Sequence, residues 1–144
     1  MVIRDYRPAD FPSVEELWKE TGIYTMERGD TPGIILRSNA AGGKFLVMED
    51  PATGLLAGTS WMTWDGRRVF LHHFAIRTSL QGKGLGRALA LRSLEFAKQK
   101  NCPVKLEVHR DNTPAVNLYR DLGFEVFEDY EVYMKLDPGA TPGT

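Results

Sequence analysis

The sequence predicts a mixed α/β domain, with helices laid against a sheet that is neither a doubly wound parallel array nor an all-β sandwich. Three observations carry that expectation. Residues 44–76 form three apolar runs broken by turn chemistry, as strands of a meander are. A glycine-rich turn at Gln81–Gly86 then opens a long helical pattern. After it come a strand, a short helix and two further strands.

The elements follow in order. Val2–Tyr6 reads as a short strand. Asp10 caps a helix that carries Pro12 in its first turn and runs to about Glu20, with Val14, Leu17 and Trp18 at helical spacing. Residues 21–43 are ambiguous: Ile34-Ile35-Leu36 fits a helical turn, and Ala40–Gly43 a loop. Lys44–Glu49, Leu55–Trp64 and Arg67–Ile76 are strands, the last two joined by a tight Asp65-Gly66 turn. The helix that follows reaches Lys100; it is apolar on two sides, the signature of a mostly buried helix. Val104–Val108 is a strand. Thr113-Pro114 starts a helix that Gly123 stops. Phe124–Phe127 and Tyr130–Leu136 close as two antiparallel strands. The expected domain is 1–137, and 138–144 reads as a frayed tail.

With 144 residues, 42% apolar and 26% charged, the chain has the size and composition of one domain that needs no staples. One cysteine, Cys102, and no Cys/His cluster at zinc spacing point to a reducing compartment and to no metal. A net charge of −1 argues against nucleic acid as a partner. No apolar run is long enough to span a bilayer and the N-terminus lacks a signal-peptide core, so the expectation is a cytoplasmic protein without membrane contact. The charge is uneven. Arg77–Lys100 holds six basic residues against Glu95, and Asp121–Asp137 holds six acids against Lys135. Each is either a solvated face or, respectively, an anion site and a cation-attracting surface.

The turn Gln81-Gly82-Lys83-Gly84-Leu85-Gly86-Arg87 carries the chemistry. Backbone N–H groups at a helix start bind phosphate oxygens, and glycine lets the backbone come close. Lys83 and Arg87 add positive charge there. A Walker loop is excluded because Gly84 stands where its hydroxyl residue belongs. A dinucleotide fingerprint has different glycine spacing. What remains is the pattern Q/R-x-x-G-x-G/A, filled by Gln81, Gly84 and Gly86.

Arg77–Leu89 together with Leu106–Phe124 resembles the GNAT superfamily of acyl-CoA-dependent N-acetyltransferases. The second segment holds N-x-x-A-x-x-L-Y-x-x-L-G-F, from Asn112 through Tyr119 to Phe124, with its closest likeness to ribosomal-protein alanine N-acetyltransferases. The resemblance implies a mostly antiparallel sheet flanked by helices, with a splayed strand pair that holds acyl-CoA. It implies acetyl-CoA as co-substrate and a primary amine as acceptor. Pantetheine would pair with the backbone of Phe74, Ala75 and Ile76. Pyrophosphate would sit on Gln81, Gly82, Lys83, Gly84, Leu85, Gly86 and Arg87, and Asn112 and Tyr119 would line the arm from the other side.

Direct transfer to an amine needs a base, oxyanion donors and an acid for the thiolate. Tyr119 is that acid by motif position. Two bases compete. Glu107 is a carboxylate in an apolar strand, five residues before Asn112. His72 lies beside His73 on the strand before the turn, and strict alternation would send the two histidines to opposite faces. His109 is expected to face solvent, and Cys102 to be a small loop residue. Residues 21–43 and the Phe127–Tyr133 hairpin would build the acceptor site, and exposed edge strands allow a homodimer. A binding module of the same fold without turnover is the alternative.

Overall fold

The computed structural model describes residues 1–25 and 29–140. Its strands are β1 (Val2–Asp5), β2 (Lys44–Glu49), β3 (Leu56–Trp64), β4 (Val69–Ile76) and β5 (Val104–Leu106). They form one sheet in that order; β1 to β4 run antiparallel and β5 joins β4 in parallel. The helices are α1 (Phe11–Thr21), α2 (Pro32–Ala40), α3 (Leu85–Lys100) and α4 (Thr113–Asp121). The mixed, mostly antiparallel sheet flanked by helices is therefore present.

Two apolar clusters sit on opposite faces of the sheet. On one face Trp18 and Leu17 of α1 and Ile35 of α2 meet Phe45, Val47 and Trp61. On the other, Leu89, Phe96 and Ala97 of α3 and Tyr119 of α4 meet Met62, Val69 and Leu71. Between β2 and β4, β3 is covered on both faces, which is why Leu56–Met62 is buried without a break.

The ambiguous stretch before β2 contains a full helix. Thr31 caps it by accepting the Ile34 N–H, and Pro32 stands at its first position. Asp10 stands at the N-cap of α1, yet its carboxylate turns back to Arg4 and to the Arg7 N–H. The helix α3 is less buried than its two apolar sides suggested. Leu89, Ser93, Phe96 and Ala97 face the sheet, while Leu91 is 45% exposed. One stripe suffices because only one layer packs against it.

Two expected strands are absent. Residues 124–136 contain no strand, and Val126, Phe127, Tyr130, Val132 and Tyr133 are exposed. Alternation gives a segment two faces but no partner, and a lone hairpin is marginal in water. The adjoining strand, β5, offers only three residues and ends at Leu106, two short of the expected Val108. Glu107 thus lies outside the sheet. Of the expected tail, residues 141–144 lie outside the described residues, as do residues 26–28 of the expected acceptor segment.

Candidate active site

Strand β4 is irregular where the candidate residues sit. Trp61 pairs with His72 and Thr59 with Ala75, so two steps along β3 are matched by three along β4. The extra residue makes a β-bulge. His73 takes φ +45°, a left-handed conformation that costs a non-glycine residue about 1–2 kcal/mol. The bulge overturns the expected alternation. The rings of His72 and His73 both meet Trp61, at 6.3 and 5.6 Å, so both histidines lie on the α1–α2 face. Phe74 then turns to the opposite face and meets the Tyr119 ring edge-on at 6.1 Å.

Past the bulge β4 loses its outer neighbour. Its parallel pairing with β5 ends at Leu71↔Leu106, so the two strands part as the splayed pair was expected to. The Arg77 N–H donates to Ala57 O on β3. Alternation along the strand therefore turns the amides of Ile76 and Phe74 to the other side, toward the gap. The Gln81 side chain donates to Ile76 O and ties the turn to the strand end.

The turn itself is open. Gly82 and Gly84 have φ of +77° and +82°, and a Cβ on either would meet nothing within 4 Å. Gly84 is the N-cap of α3, whose first turn carries no acid. Lys83 and Arg87 are exposed beside it, and Leu85 and Gly86 are half-buried. A helix start with free amides, room above two glycines and two cations suits a phosphate group. Arg77 does not belong to this basic surface. It is buried, donates to Leu56 O, and lies 3.3 Å from Glu20 and 3.5 Å from Glu16 of α1.

Tyr119 is 7% exposed, between Phe74 and Phe124. Burial pushes its phenol up to about 12, so it stays protonated through the neutral range. His72 accepts or donates one bond, to Thr63 Oγ1 at 2.9 Å. The residue is exposed to solvent. Protein around it, and His73 next to it, hold its pKa below 6.5, and the charges of Glu107 and Asp30 pull the other way. Glu107 is exposed just past β5, close enough for its charge to act on His72. Asn112 caps α4, accepting the Ala115 N–H through Oδ1 and leaving its amide NH₂ unused by that bond. His109 is exposed against Asp111, as expected. Cys102 receives the Trp64 Nε1–H and plays no part at β4.

Sequence reasoning missed one constellation. Asp30 is 2% exposed, and its Oδ2 accepts from His73 Nε2 at 2.8 Å and from the N–H and hydroxyl of Thr25. The Trp18 indole donates to Thr59 Oγ1, whose hydroxyl donates to His73 O. The His73 ring lies 4.5 Å from that of Trp18. Asp30 stands in Gly29-Asp30-Thr31-Pro32, which reads only as the approach to a helix; the paired histidines were the one available hint. Among the described residues no group of three or more His, Cys, Asp or Glu could hold a metal ion.

Comparison with known proteins bears on the whole arrangement. The chain is 37% identical over 99 residues to a mycothiol acetyltransferase of Thermobifida fusca, covering 62% of this chain and 31% of that protein. It is 30% identical over 138 residues to the L-amino acid N-acyltransferase MnaT of Escherichia coli, covering 88% of this chain and 80% of the relative. The chain thus spans about a third of the mycothiol enzyme and most of MnaT. Among solved structures, the PaiA N-acetyltransferase of Thermoplasma acidophilum in complex with coenzyme A superposes with a TM-score of 0.74 at 20% identity, covering 88% of this chain and 90% of that one. The family model described as acetyltransferase (GNAT) family matches residues 4–124. The chain belongs to the GNAT family of acetyltransferases.

Proposed function

We propose that the protein transfers the acetyl group of acetyl-CoA directly to a primary amine. The observation that carries this reading is the end of β4–β5 pairing at Leu71↔Leu106, which leaves the bulged edge of β4 free beside Tyr119 and in line with the glycine turn. Acetyl-CoA supplies the activated thioester. The backbone of Phe74, Ala75 and Ile76 offers an edge for the pantetheine amides, as an added strand would use it. The turn from Gln81 to Arg87 receives the pyrophosphate on its amides, and Asn112 reaches the arm from α4.

Tyr119 holds its proton at neutral pH and gives it to the departing sulfur. The Phe74 N–H, aimed into the gap, stabilises charge on the thioester oxygen. His72 takes the proton of the incoming amine, and Glu107, in electrostatic reach of His72, passes it to water. No cysteine is needed, and the single cysteine fits a reducing cytoplasm. The acceptor enters from the α1–α2 face, where His72 and His73 lie. The similarity to MnaT puts free L-amino acids first among candidate acceptors; a lysine side chain and a protein N-terminus are the others.

The test is release of free thiol from acetyl-CoA in the presence of twenty L-amino acids, a lysine-bearing peptide and an alanine-terminated peptide. Amine-dependent release with at least one acceptor is expected. Tight acetyl-CoA binding without release by any amine would make the protein a binding module instead.

A further inference from the structure

The strain at His73 needs a cause. A histidine held at φ +45° in the middle of a strand reverts to ordinary extended backbone unless its surroundings forbid it. Two independent groups do so here. Thr59 Oγ1 donates to the His73 carbonyl at 2.8 Å, and the Trp18 indole fixes that hydroxyl at 3.0 Å. From the other direction, Asp30 Oδ2 accepts His73 Nε2–H at 2.8 Å. Asp30 is itself nearly inaccessible and tied to Thr25, in the connection between α1 and α2. The residue after His73 is Phe74, whose amide falls on the gap side by alternation back from the Arg77–Ala57 bond. Its ring lies edge-on to that of Tyr119 at 6.1 Å.

We infer that Asp30 is a positioning residue: by gripping the His73 side chain it holds the β4 bulge and so aims the Phe74 N–H at the thioester oxygen. The inference rests on the acetyl-transfer reading above and names a residue on which that reading is silent. It assigns the His73 imidazole a mechanical task. The ring has one nitrogen engaged with a buried carboxylate and is packed against two indoles, so it works as a strut between the α1–α2 connection and β4. The same strut links the acceptor side of the sheet to the cofactor side. A change in the α1–α2 connection reaches Phe74 through three consecutive groups: Thr25, Asp30 and His73.

Two variants break the strut and one keeps it. Asp30→Ala removes the acceptor and His73→Leu the donor. His73→Gln places an amide N–H where Nε2–H was. Each is assayed with acetyl-CoA and the fastest amine of the panel, and amide hydrogen exchange is followed without ligand. For Asp30→Ala and His73→Leu, kcat is expected to fall about 10–100-fold, the scale of a reacting group misplaced by an ångström or less. KM for acetyl-CoA and the affinity for CoA should stay within about twofold, because the pyrophosphate turn is untouched. Exchange should rise in residues 72–76 and stay unchanged in α3. His73→Gln should recover most of the rate and the protection.

His73→Gln as slow as His73→Leu, with protection intact, would overturn the inference and make the imidazole a proton carrier. A rise in exchange throughout the sheet would overturn it in favour of general destabilisation. Unchanged rate and exchange in Asp30→Ala would overturn it outright. Failure of the broader reading looks different: wild-type protein would release no thiol with any amine, while the exchange pattern at 72–76 would still show whether Asp30 holds the bulge.

Discussion

At the glycine turn the groups that face outward are backbone amides, contiguous in sequence and open to solvent. At the bulge just upstream they are side chains gathered from α1, the α1–α2 connection, β3 and β4. On the reading proposed above, the first region would receive phosphate, a group common to many ligands, on amides set by backbone conformation with Lys83 and Arg87 beside them. The second, which that reading places on the acceptor side, is built by tertiary contact. Two glycines make the same contrast. Gly84 is glycine because φ is +82° and the space above it is empty. At Gly58 a Cβ would lie 2.7 Å from Ile76 Cδ1 and 2.9 Å from Ala75 O. One leaves room for something outside the fold, and the other for the fold itself.

The largest effect is expected where the two regions meet. Tyr119→Phe keeps the ring against Phe74 and removes the proton. In steady-state kinetics kcat should fall by about 10²–10⁴ with acetyl-CoA affinity near wild type. Because the phenol is held at about 12, Tyr119 should produce no alkaline limb in the wild-type kcat profile below about pH 11. A limb near 10 that Tyr119→Phe removes would contradict the buried geometry.

Gly84→Val attacks only the turn. The left-handed φ costs a branched residue a few kcal/mol at most, while the side chain fills the open space. Calorimetry should show CoA affinity at least about tenfold weaker in a folded protein. Gly58→Ala attacks only the sheet. The added methyl must displace Ala75 O or Ile76, so urea unfolding should show a loss of about 1–3 kcal/mol, with CoA binding retained wherever the protein remains folded.

The smallest effect is electrostatic. His72 has its pKa depressed, so it stays neutral, and able to accept a proton, to a pH below 6.5. Its acid limb in kcat/KM should lie on that side. Glu107 pulls His72 upward, so Glu107→Gln should move the limb to still lower pH by a fraction of a unit, with little change at neutral pH. A large loss of rate at neutral pH in Glu107→Gln, with the limb abolished, would transfer the base to the carboxylate.

The same contrast governs what could be read from the sequence. Helices α3 and α4, and the turn between β4 and α3, have signals within a dozen residues: glycines, Pro114, the Asn112 cap. Their places and boundaries follow from local chemistry. The bulge has no such signal. Leu71-His72-His73-Phe74 holds no turn residue, the positive φ falls on a histidine, and its partners Thr59 and Asp30 stand 14 and 43 residues away. Period-two alternation misassigns the face of one histidine for that reason. Residues 124–136 fail in the opposite way. Their alternation is real, but a strand is a relation between two segments, and the edge beside them is three residues long.

The indole rings give the protein an optical property. Of three tryptophans, Trp18 and Trp61 lie with ring centroids 4.5 and 5.6 Å from His73. Trp64 sits at the far end of β3, with the Lys100 ammonium 4.2 Å from its ring centre and its N–H on Cys102. Emission from the first two senses the charge and polarity at the histidines, while the third serves as a reference in the same molecule. If the acceptor enters on the α1–α2 face as proposed, its binding is expected to perturb intrinsic fluorescence, and Trp64→Phe isolates that signal. Acceptors can be ranked by titration in cuvette or plate before any of them is turned over, with no label attached.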